Sequence, residues 1–215
     1  MGILSPIRVV LADDHTMVRE ALARILDESG EITVVAQASD GEQAVEAVKS
    51  HHPQVVVLDY TMPQEHAPQV TQRLLKLAPQ LKILVLTVHE NIHYAVRVLE
   101  NGAHGYLIKS AAADELVEAI KTVHQGQVYL SSAVSQEVLQ HLRRPKRKRE
   151  GIESLSQREF DFLRIMASGN SLQECAKEMG ISTSTASTYR SRIMEKLNLQ
   201  NTAELIRYAI EHDLA

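Results

Sequence analysis

The chain has 215 residues, a length that allows one or two compact domains. Of these residues 44% are hydrophobic, and the formal net charge is −4. No stretch approaches the roughly 18 unbroken apolar residues of a membrane-spanning helix, and the first residues lack the basic segment and apolar run of a signal peptide. The single cysteine, Cys175, excludes an internal disulfide. We therefore expect a cytoplasmic protein that does not bind a membrane.

Hydrophobic patterning over residues 6–125 predicts five β-strands that alternate with five helices. The predicted strands are Ile7–Ala12, Ile32–Ala36, a run that ends at Asp59, Ile83–Leu86 and Tyr106–Ile108. The predicted helices end near Gly30, Pro53, Leu77, Asn101 and Gln125. Such alternation is typical of right-handed βαβ units, so we predict an α/β fold, a flavodoxin-like (βα)5 domain with the parallel strand order 2-1-3-4-5.

The third predicted strand places an acid at the centre of this sheet. Val55–Leu58 is a continuous apolar run, and Met62-Pro63 ends it just beyond Asp59. A run of this kind is typical of a strand that is buried on both faces of a parallel sheet. Asp59 therefore lies at the carboxyl end of a central strand, where open α/β sheets bind their ligands.

Polar side chains also follow the ends of the other strands. Asp13 and Asp14 end the first strand, Thr87 ends the fourth and Lys109 follows the fifth. The winding reverses between strands one and three, so we expect these side chains to converge with Asp59 at one edge of the sheet. A single Asp or Lys after a strand is usually a turn former or a solvated residue. Their joint placement at four strand ends is much less expected by chance.

This arrangement predicts phosphoryl chemistry with a metal ion. Clustered carboxylates repel one another, and a hard divalent cation such as Mg²⁺ relieves the repulsion while it binds oxygen ligands. Asp59 is placed to attack a phosphoryl donor, since carboxylates form acyl phosphates. Lys109 would hold one phosphoryl oxygen by its charge, and Thr87 would donate to another.

Four motifs here resemble the receiver domain of two-component response regulators: Ala12-Asp13-Asp14-His15, Leu58-Asp59-Tyr60-Thr61-Met62-Pro63, Leu86-Thr87-Val88 and Gly105-Tyr106-Leu107-Ile108-Lys109. The resemblance implies a receiver domain over residues 6–125 whose Asp59 is phosphorylated by a sensor histidine kinase. It implies that Mg²⁺ is bound by Asp14, Asp59 and the Thr61 carbonyl, with Asp13 nearby.

The resemblance further implies that Thr87 and Tyr106 form a switch pair, in which the hydroxyl moves toward the phosphoryl group and the ring follows inward. The loop after Asp59 departs from the family pattern. Family members usually carry glycines after the Met-Pro pair, whereas this loop reads Gln64-Glu65-His66-Ala67-Pro68. The side chain of Glu65 adds negative charge near the pocket, which puts the phosphorylation kinetics and the metal affinity in doubt.

Two other functions stay open on the residues alone. A phosphatase with an Asp nucleophile usually has a second acid two residues further on, and Thr61 occupies that position, so we predict that the protein is not an enzyme. A scaffold or DNA binder that works without phosphorylation is the other alternative. The complete set of acids argues against it, and the glycine-free loop favours it.

Charge is distributed unevenly along the chain. Residues 1–142 carry a net charge of −7 and residues 143–215 carry +3, but residues 150–215 alone carry −3. The positive excess comes from the basic run Arg143–Arg149, within a segment, 126–149, that we interpret as a linker. The run is either a solvated hinge or an arm that grips DNA phosphates. Val134–Leu142 has the pattern of a short helix within this segment.

From Leu155 onward the periodicity is purely helical. Ser156, Ser171, Ser182 and Asn201 each precede an amphipathic segment, which predicts four short helices in a small all-α helix-turn-helix domain over residues 150–215. The region resembles the DNA-binding domain of NarL/FixJ (LuxR-type) regulators, with features of their GacA/UvrY-like branch. The resemblance implies a transcriptional response regulator that binds double-stranded DNA, and a homodimer, formed on phosphorylation, in which the fourth helices pair.

The third of these helices, Ser182–Leu197, is the candidate recognition helix. Ala186, Ile193 and Leu197 share one face and should pack inward, which leaves polar residues free to enter a major groove. Without the domain in front of it, the same helix would be interpreted as an ordinary solvated helix. The predicted DNA contacts are Thr183, Ser184, Ser187, Thr188, Arg190, Ser191, Arg192 and Lys196, of which the three cations are predicted phosphate contacts.

Overall fold

The computed structural model describes residues 5–63, 65–110, 113–142 and 150–214, so the basic run Arg143–Arg149 and Gln64 lie outside the described residues. The chain divides into two compact units, and the division falls between Val138 and Leu139. Across the described residues, no helix combines the length and the apolar character that crossing a membrane requires.

The first unit is a parallel sheet with helices between its strands. Its strands follow the order β2-β1-β3-β4-β5-β6, so the predicted order 2-1-3-4-5 is confirmed and a sixth strand is added. The strands are β1 Ile7–Ala12, β2 Ile32–Ala38, β3 Val55–Asp59, β4 Lys82–Thr87, β5 Gly105–Ile108 and β6 Tyr129–Leu130. The helices are α1 Thr16–Glu28, α2 Gly41–His51, α3 Ala67–Leu77, α4 Ile92–Glu100, α5 Ala113–His124 and α6 Ser132–Leu142, which spans the division between the units.

Strand β3 is buried on both faces, as its sequence predicts. Each of its residues is buried, and β1 pairs along one edge of β3 while β4 pairs along the other. Val55 and Val57 face a cluster that includes Leu26 of α1 and Ile120 of α5. The register places Leu58 beside Ala12 and Asp59 beside Leu86, so that the ends of β1, β3 and β4 meet at one edge of the sheet.

Strand β6 is a difference from the sequence-based expectation, which assigned its residues to a linker. Tyr129 pairs with Gly105 and Leu130 pairs with Tyr106. A Cβ atom at Gly105 would lie 3.2 Å from the Tyr129 carbonyl oxygen and 2.7 Å from Leu84 Cδ1, so glycine permits this close approach. Two residues are too short to produce an alternating pattern, and only the neighbouring strand makes them a strand.

The second unit consists of helices around an apolar centre. A 3-10 turn, Gly151–Ser154, precedes the helices α7 Gln157–Ala167, α8 Leu172–Glu178, α9 Thr183–Leu197 and α10 Thr202–Glu211. Ser156 and Ser171 form the capping boxes of α7 and α8, and Ser182 and Asn201 cap α9 and α10. Helix α7 packs against the other three helices, whose buried side chains include Cys175, Ala186, Ile193, Leu205 and Ala209.

Candidate functional site

The predicted acids of the first unit meet at the carboxyl edge of the sheet. One oxygen each from Asp13, Asp14 and Asp59 and one ring nitrogen of His15 all lie within 4.8 Å of one another. Asp13 and Asp59 are buried, whereas Asp14 is partly exposed. Tight parallel pairing of β1 with β3 brings their terminal carboxylates together, as the strand order predicts.

Lys109 joins two of these acids. Its Nζ donates to Asp13 Oδ2 at 2.7 Å and lies 3.0 Å from Asp59 Oδ2. The backbone supports this placement, because the Lys109 amide donates to the Thr87 carbonyl at 2.6 Å. Burial opposes the charge on Lys109, but its contacts with Asp13 and Asp59 outweigh burial and raise the pKa of the ammonium group. The lysine therefore stays charged inside the pocket.

The pKa of the Asp59 carboxyl group is strongly raised. Burial raises the pKa of Asp59 from 3.8 to about 6, and the charges of Asp13 and Asp14 add to the increase. Lys109 acts in the opposite direction, because its positive charge favours the ionised carboxylate. At pH values above about 6 the carboxylate is ionised, which is the form that can act as a nucleophile.

His15 belongs to this site, although the sequence analysis gave it no role. Its Nδ1 lies 2.8 Å from Asp14 Oδ1, and its backbone N–H donates to Asp13 Oδ1 at 2.8 Å. Its position directly after the acid pair was the available signal. A side chain at the first residues beyond a strand end has to lie near the edge where that strand's carboxylates lie.

Thr87 and Tyr106 are both hydrogen-bonded to the backbone of His89. The Thr87 hydroxyl accepts from the His89 N–H at 3.1 Å, and the Tyr106 hydroxyl donates to the His89 carbonyl at 2.7 Å. Tyr106 is fully buried, and burial raises the pKa of its hydroxyl, which stays protonated and available as a donor. The predicted switch residues thus share one partner residue in the loop after β4.

The ring of His89 is half-buried in an aromatic group. It stacks on Tyr94 with ring centres 4.2 Å apart and planes 4° apart. The buried Tyr60 ring meets Tyr94 edge-on at 4.8 Å and stacks on His66 at 6.1 Å. These rings connect the loop after β3, the loop after β4 and helix α4, so the two loops that flank Asp59 pack against each other.

The glycine-free loop after Asp59 is held by ion pairs. Arg73 of α3 donates to Glu65 Oε2 at 2.5 Å and to Glu42 Oε1 of α2 at 2.7 Å. The loop is also closed by the Ala67 amide, which donates to the Tyr60 carbonyl at 3.0 Å. Arg73 compensates the negative charge that Glu65 brings to this loop, which the sequence alone did not indicate. Thr61, the predicted carbonyl ligand, is partly buried within the same loop.

In the second unit, α9 presents a surface of short polar side chains. Ala186 and Ile193 are buried as predicted, while Leu197 is partly buried. The hydroxyl of Thr188 donates to the Ser184 carbonyl at 3.1 Å. Of the predicted DNA contacts, Ser187 and Arg190 are half-buried; the exposed ones are Thr183, Ser184, Thr188, Ser191, Arg192 and Lys196.

Lys196 has a partner within its own unit. Its Nζ donates to Glu159 Oε2 at 2.7 Å and to the Ser154 carbonyl at 3.2 Å. Burial opposes ionisation of Glu159, but hydrogen bonds from Lys196 and Ser156 outweigh burial and lower the pKa of Glu159. Lys196 thereby connects the last turn of α9 to the capped start of α7, a tertiary contact that no local pattern could indicate.

Comparisons with known proteins match both units. A family model described as the response regulator receiver domain matches residues 9–121, and one described as bacterial regulatory proteins of the luxR family matches residues 153–209. The response regulator UvrY of Escherichia coli (strain K12) is 35% identical over 208 residues, which cover 97% of this chain and 95% of UvrY. The response regulator GacA of Pseudomonas aeruginosa is 33% identical over 208 residues, 97% of each chain.

A solved structure supports the same assignment over nearly the full length. The crystal structure of the response regulator ChrA, from a heme-sensing two-component system, is 33% identical in sequence with a TM-score of 0.55. The match covers 99% of this chain and 100% of ChrA. The fold and the order of the two units are therefore those of a known family.

Proposed function

Because the chain belongs to the two-component response regulators that carry a LuxR-type DNA-binding domain, we propose that a sensor histidine kinase phosphorylates Asp59 and thereby controls how the second unit binds double-stranded DNA. The observation that carries this proposal is the buried Asp59 carboxylate, 3.0 Å from Lys109 and surrounded by Asp13 and Asp14. The family consists of transcription regulators rather than enzymes, which supports the prediction that the protein is not a phosphatase.

The chemistry at Asp59 is a phosphoryl transfer. The ionised carboxylate attacks the phosphorus of a phosphohistidine, an O–P bond forms as the P–N bond breaks, and the electron pair returns to the imidazole nitrogen. Lys109 neutralises charge on the transferred group because its ammonium already lies between Asp13 and Asp59. Thr61 stands where an Asp-nucleophile phosphatase would place its acid, so the carboxyl phosphate persists as a signal.

The donor set of this pocket fits Mg²⁺. Three carboxylates within 4.8 Å of one another, only two of them bonded to Lys109, offer the oxygen ligands that this hard cation prefers. Asp14, Asp59 and the Thr61 carbonyl would hold the ion, with Asp13 beside it. When bound, the ion screens the negative charge that the carboxylates and the phosphoryl group bring together.

The switch acts through the two hydrogen bonds to His89. When the Thr87 hydroxyl donates to a phosphoryl oxygen on Asp59, it turns away from the orientation in which its oxygen accepts from the His89 N–H. The loop after β4 is then released or shifted. Tyr106 senses the same loop through the His89 carbonyl. Phosphorylation then shifts an equilibrium between loop arrangements rather than creating a new fold.

Helix α9 is proposed to enter the major groove of DNA. Ser187, Thr188 and Ser191 would face base edges, and Arg190 and Arg192 would contact phosphates. The outward stripe Ser184, Thr188 and Ser191 carries no charge, and short side chains let the helix backbone approach the bases closely. The ion pair of Lys196 with Glu159 gives this lysine a structural role beside its proposed phosphate contact.

Two copies are proposed to bind together through α10. Leu205 and Ala209 of this helix are buried inside the unit, but Ile210 is 54% exposed. Pairing of α10 with its counterpart would cover Ile210 and place two recognition helices on half-sites about one helical turn apart. A regulator that binds chromosomal DNA must reach it, so we place the protein in the cytoplasm.

The decisive experiment compares the wild type with Asp59→Asn. Beryllofluoride, a phosphoryl analogue that binds the aspartate, should increase DNA affinity and dimerisation of the wild type, measured by fluorescence anisotropy and analytical ultracentrifugation. The variant should not respond, because an amide cannot form the acyl-type bond. An equal response in both proteins would refute gating at Asp59. An absent response in both would favour a DNA binder that works without phosphorylation.

A further inference from the structure

Ser131 joins strand β5 to helix α6 through its backbone and its side chain. Its N–H donates to the Tyr106 carbonyl at 3.0 Å, and its hydroxyl accepts from the Ile108 N–H at 3.1 Å. Its carbonyl accepts from the N–H groups of Val134 and Ser135, both at 3.1 Å, which begin α6. One residue thus ends the sheet and starts the helix.

The side-chain hydrogen bond replaces one that a regular sheet would contain. In a parallel ladder the bonds are evenly spaced. The Tyr129 N–H already donates to the carbonyl of His104, just before β5, and the Ser131 N–H donates to the carbonyl of Tyr106 in β5. The next bond in this series would run from Ile108 N–H to the Ser131 carbonyl. The hydroxyl of Ser131 takes that N–H instead, which leaves the carbonyl to the first turn of α6.

The contacts of Ser131 lie next to the proposed phosphorylation machinery. Tyr106 is the proposed switch residue, and Ile108 directly precedes Lys109, whose Nζ contacts Asp59 at 3.0 Å. Ser131 is only 5% exposed, so water cannot readily replace these hydrogen bonds if β5 moves. Any displacement of β5 must therefore either carry Ser131 with it or leave buried polar groups without partners.

We propose that Ser131 couples the position of strand β5 to the start of α6, the helix with which the first unit ends. This inference rests on the proposed function, since it takes phosphorylation of Asp59 as the event that shifts β5. The hydroxyl is the specific element, because a side chain without it would lose the Ile108 hydrogen bond while the three backbone bonds of Ser131 remain. The start of α6 would then follow β5 less closely, because one of the two hydrogen bonds between Ser131 and β5 would be lost.

The test uses the full chain and an isosteric pair of variants. Ser131→Thr keeps the hydroxyl and Ser131→Val replaces it by a methyl group of nearly the same volume, so a difference between them reports on the hydrogen bond. Amide hydrogen exchange at Val134 and Ser135 is measured with and without beryllofluoride. The exchange rates of the wild type and of Ser131→Thr should change when beryllofluoride binds. In Ser131→Val this change should be smaller by about fivefold or more, which is the equilibrium effect of one buried hydrogen bond.

Ser135→Ala is the matched control, because among the described residues its hydroxyl bonds only to the Ser132 carbonyl, at 3.2 Å, on an exposed part of α6. It should respond like the wild type. Any one of three outcomes would overturn the proposal. The exchange response could be unchanged in Ser131→Val, or it could be lost equally in Ser135→Ala. The wild type could also show no response although its ¹⁹F spectrum shows that beryllofluoride is bound. An exchange response without any change in DNA affinity would support coupling through Ser131 and refute the proposed control of DNA binding.

Discussion

Asp59→Asn should make the metal-free protein more stable at neutral pH. Because the pKa of Asp59 is 3.8 in the unfolded chain and about 6 in the fold, the folded state binds the proton more tightly. Its stabilising contribution is complete below pH 3.8 and is lost as the pH rises through about 6. At 1.36 kcal/mol per pKa unit, the ionised carboxylate costs roughly 3 kcal/mol, which the isosteric amide avoids.

Urea unfolding in EDTA, followed by circular dichroism between pH 4 and pH 8, measures this effect. Each unit is fitted with its own transition, since a chain with two compact units need not unfold in one step. The advantage of the variant should grow from below about 1 kcal/mol at pH 4 to roughly 3 kcal/mol above pH 7. A difference that stays constant over this range would show that burial does not perturb Asp59.

Two controls separate this effect from general charge removal. Glu46→Gln removes an exposed carboxylate on α2, whose only ion-pair partner among the described residues is Lys49, and its effect should not vary with pH in this way. Mg²⁺ at pH 8 should stabilise the wild type by about 2.7 kcal/mol at a hundredfold excess over its dissociation constant, and should stabilise Asp59→Asn much less. Equal stabilisation of both proteins would place the ion elsewhere.

Three further substitutions test other contacts. Lys109→Met removes the cation 3.0 Å from Asp59, so the pKa of that carboxyl should rise further in a ¹³C titration, and beryllofluoride binding should be lost. An unshifted titration of Asp59 would contradict the electrostatic role of Lys109. Lys196→Met should lower the free energy of unfolding of the second unit by about 1 kcal/mol, because Glu159 loses its ion-pair partner, and an unchanged urea midpoint of that unit would contradict this. Arg190→Ala should reduce the slope of log affinity against log salt by about one, measured by anisotropy, and an unchanged slope would rule out a phosphate contact.

The amino-acid pattern alone was sufficient to predict the βα alternation, the strand order and the gathering of Asp13, Asp14, Asp59 and Lys109. It could do so because periodicity and turn residues are local signals, and because a parallel sheet places all its strand ends at one edge. The starts of helices could also be predicted, since the capping box that begins at Ser156 spans only four residues of sequence.

Features that depend on partners distant in the sequence became evident only once the chain was folded. The two residues of β6 form a strand because β5 offers its free edge, and the bond from Ile108 to Ser131 spans 23 positions. Arg73 compensates Glu65 and Glu42 across separate elements, and the Lys196 bond to Glu159 spans 37 positions. Such contacts leave no periodic trace, because their free energy arises only when folding brings together groups that are far apart in the chain.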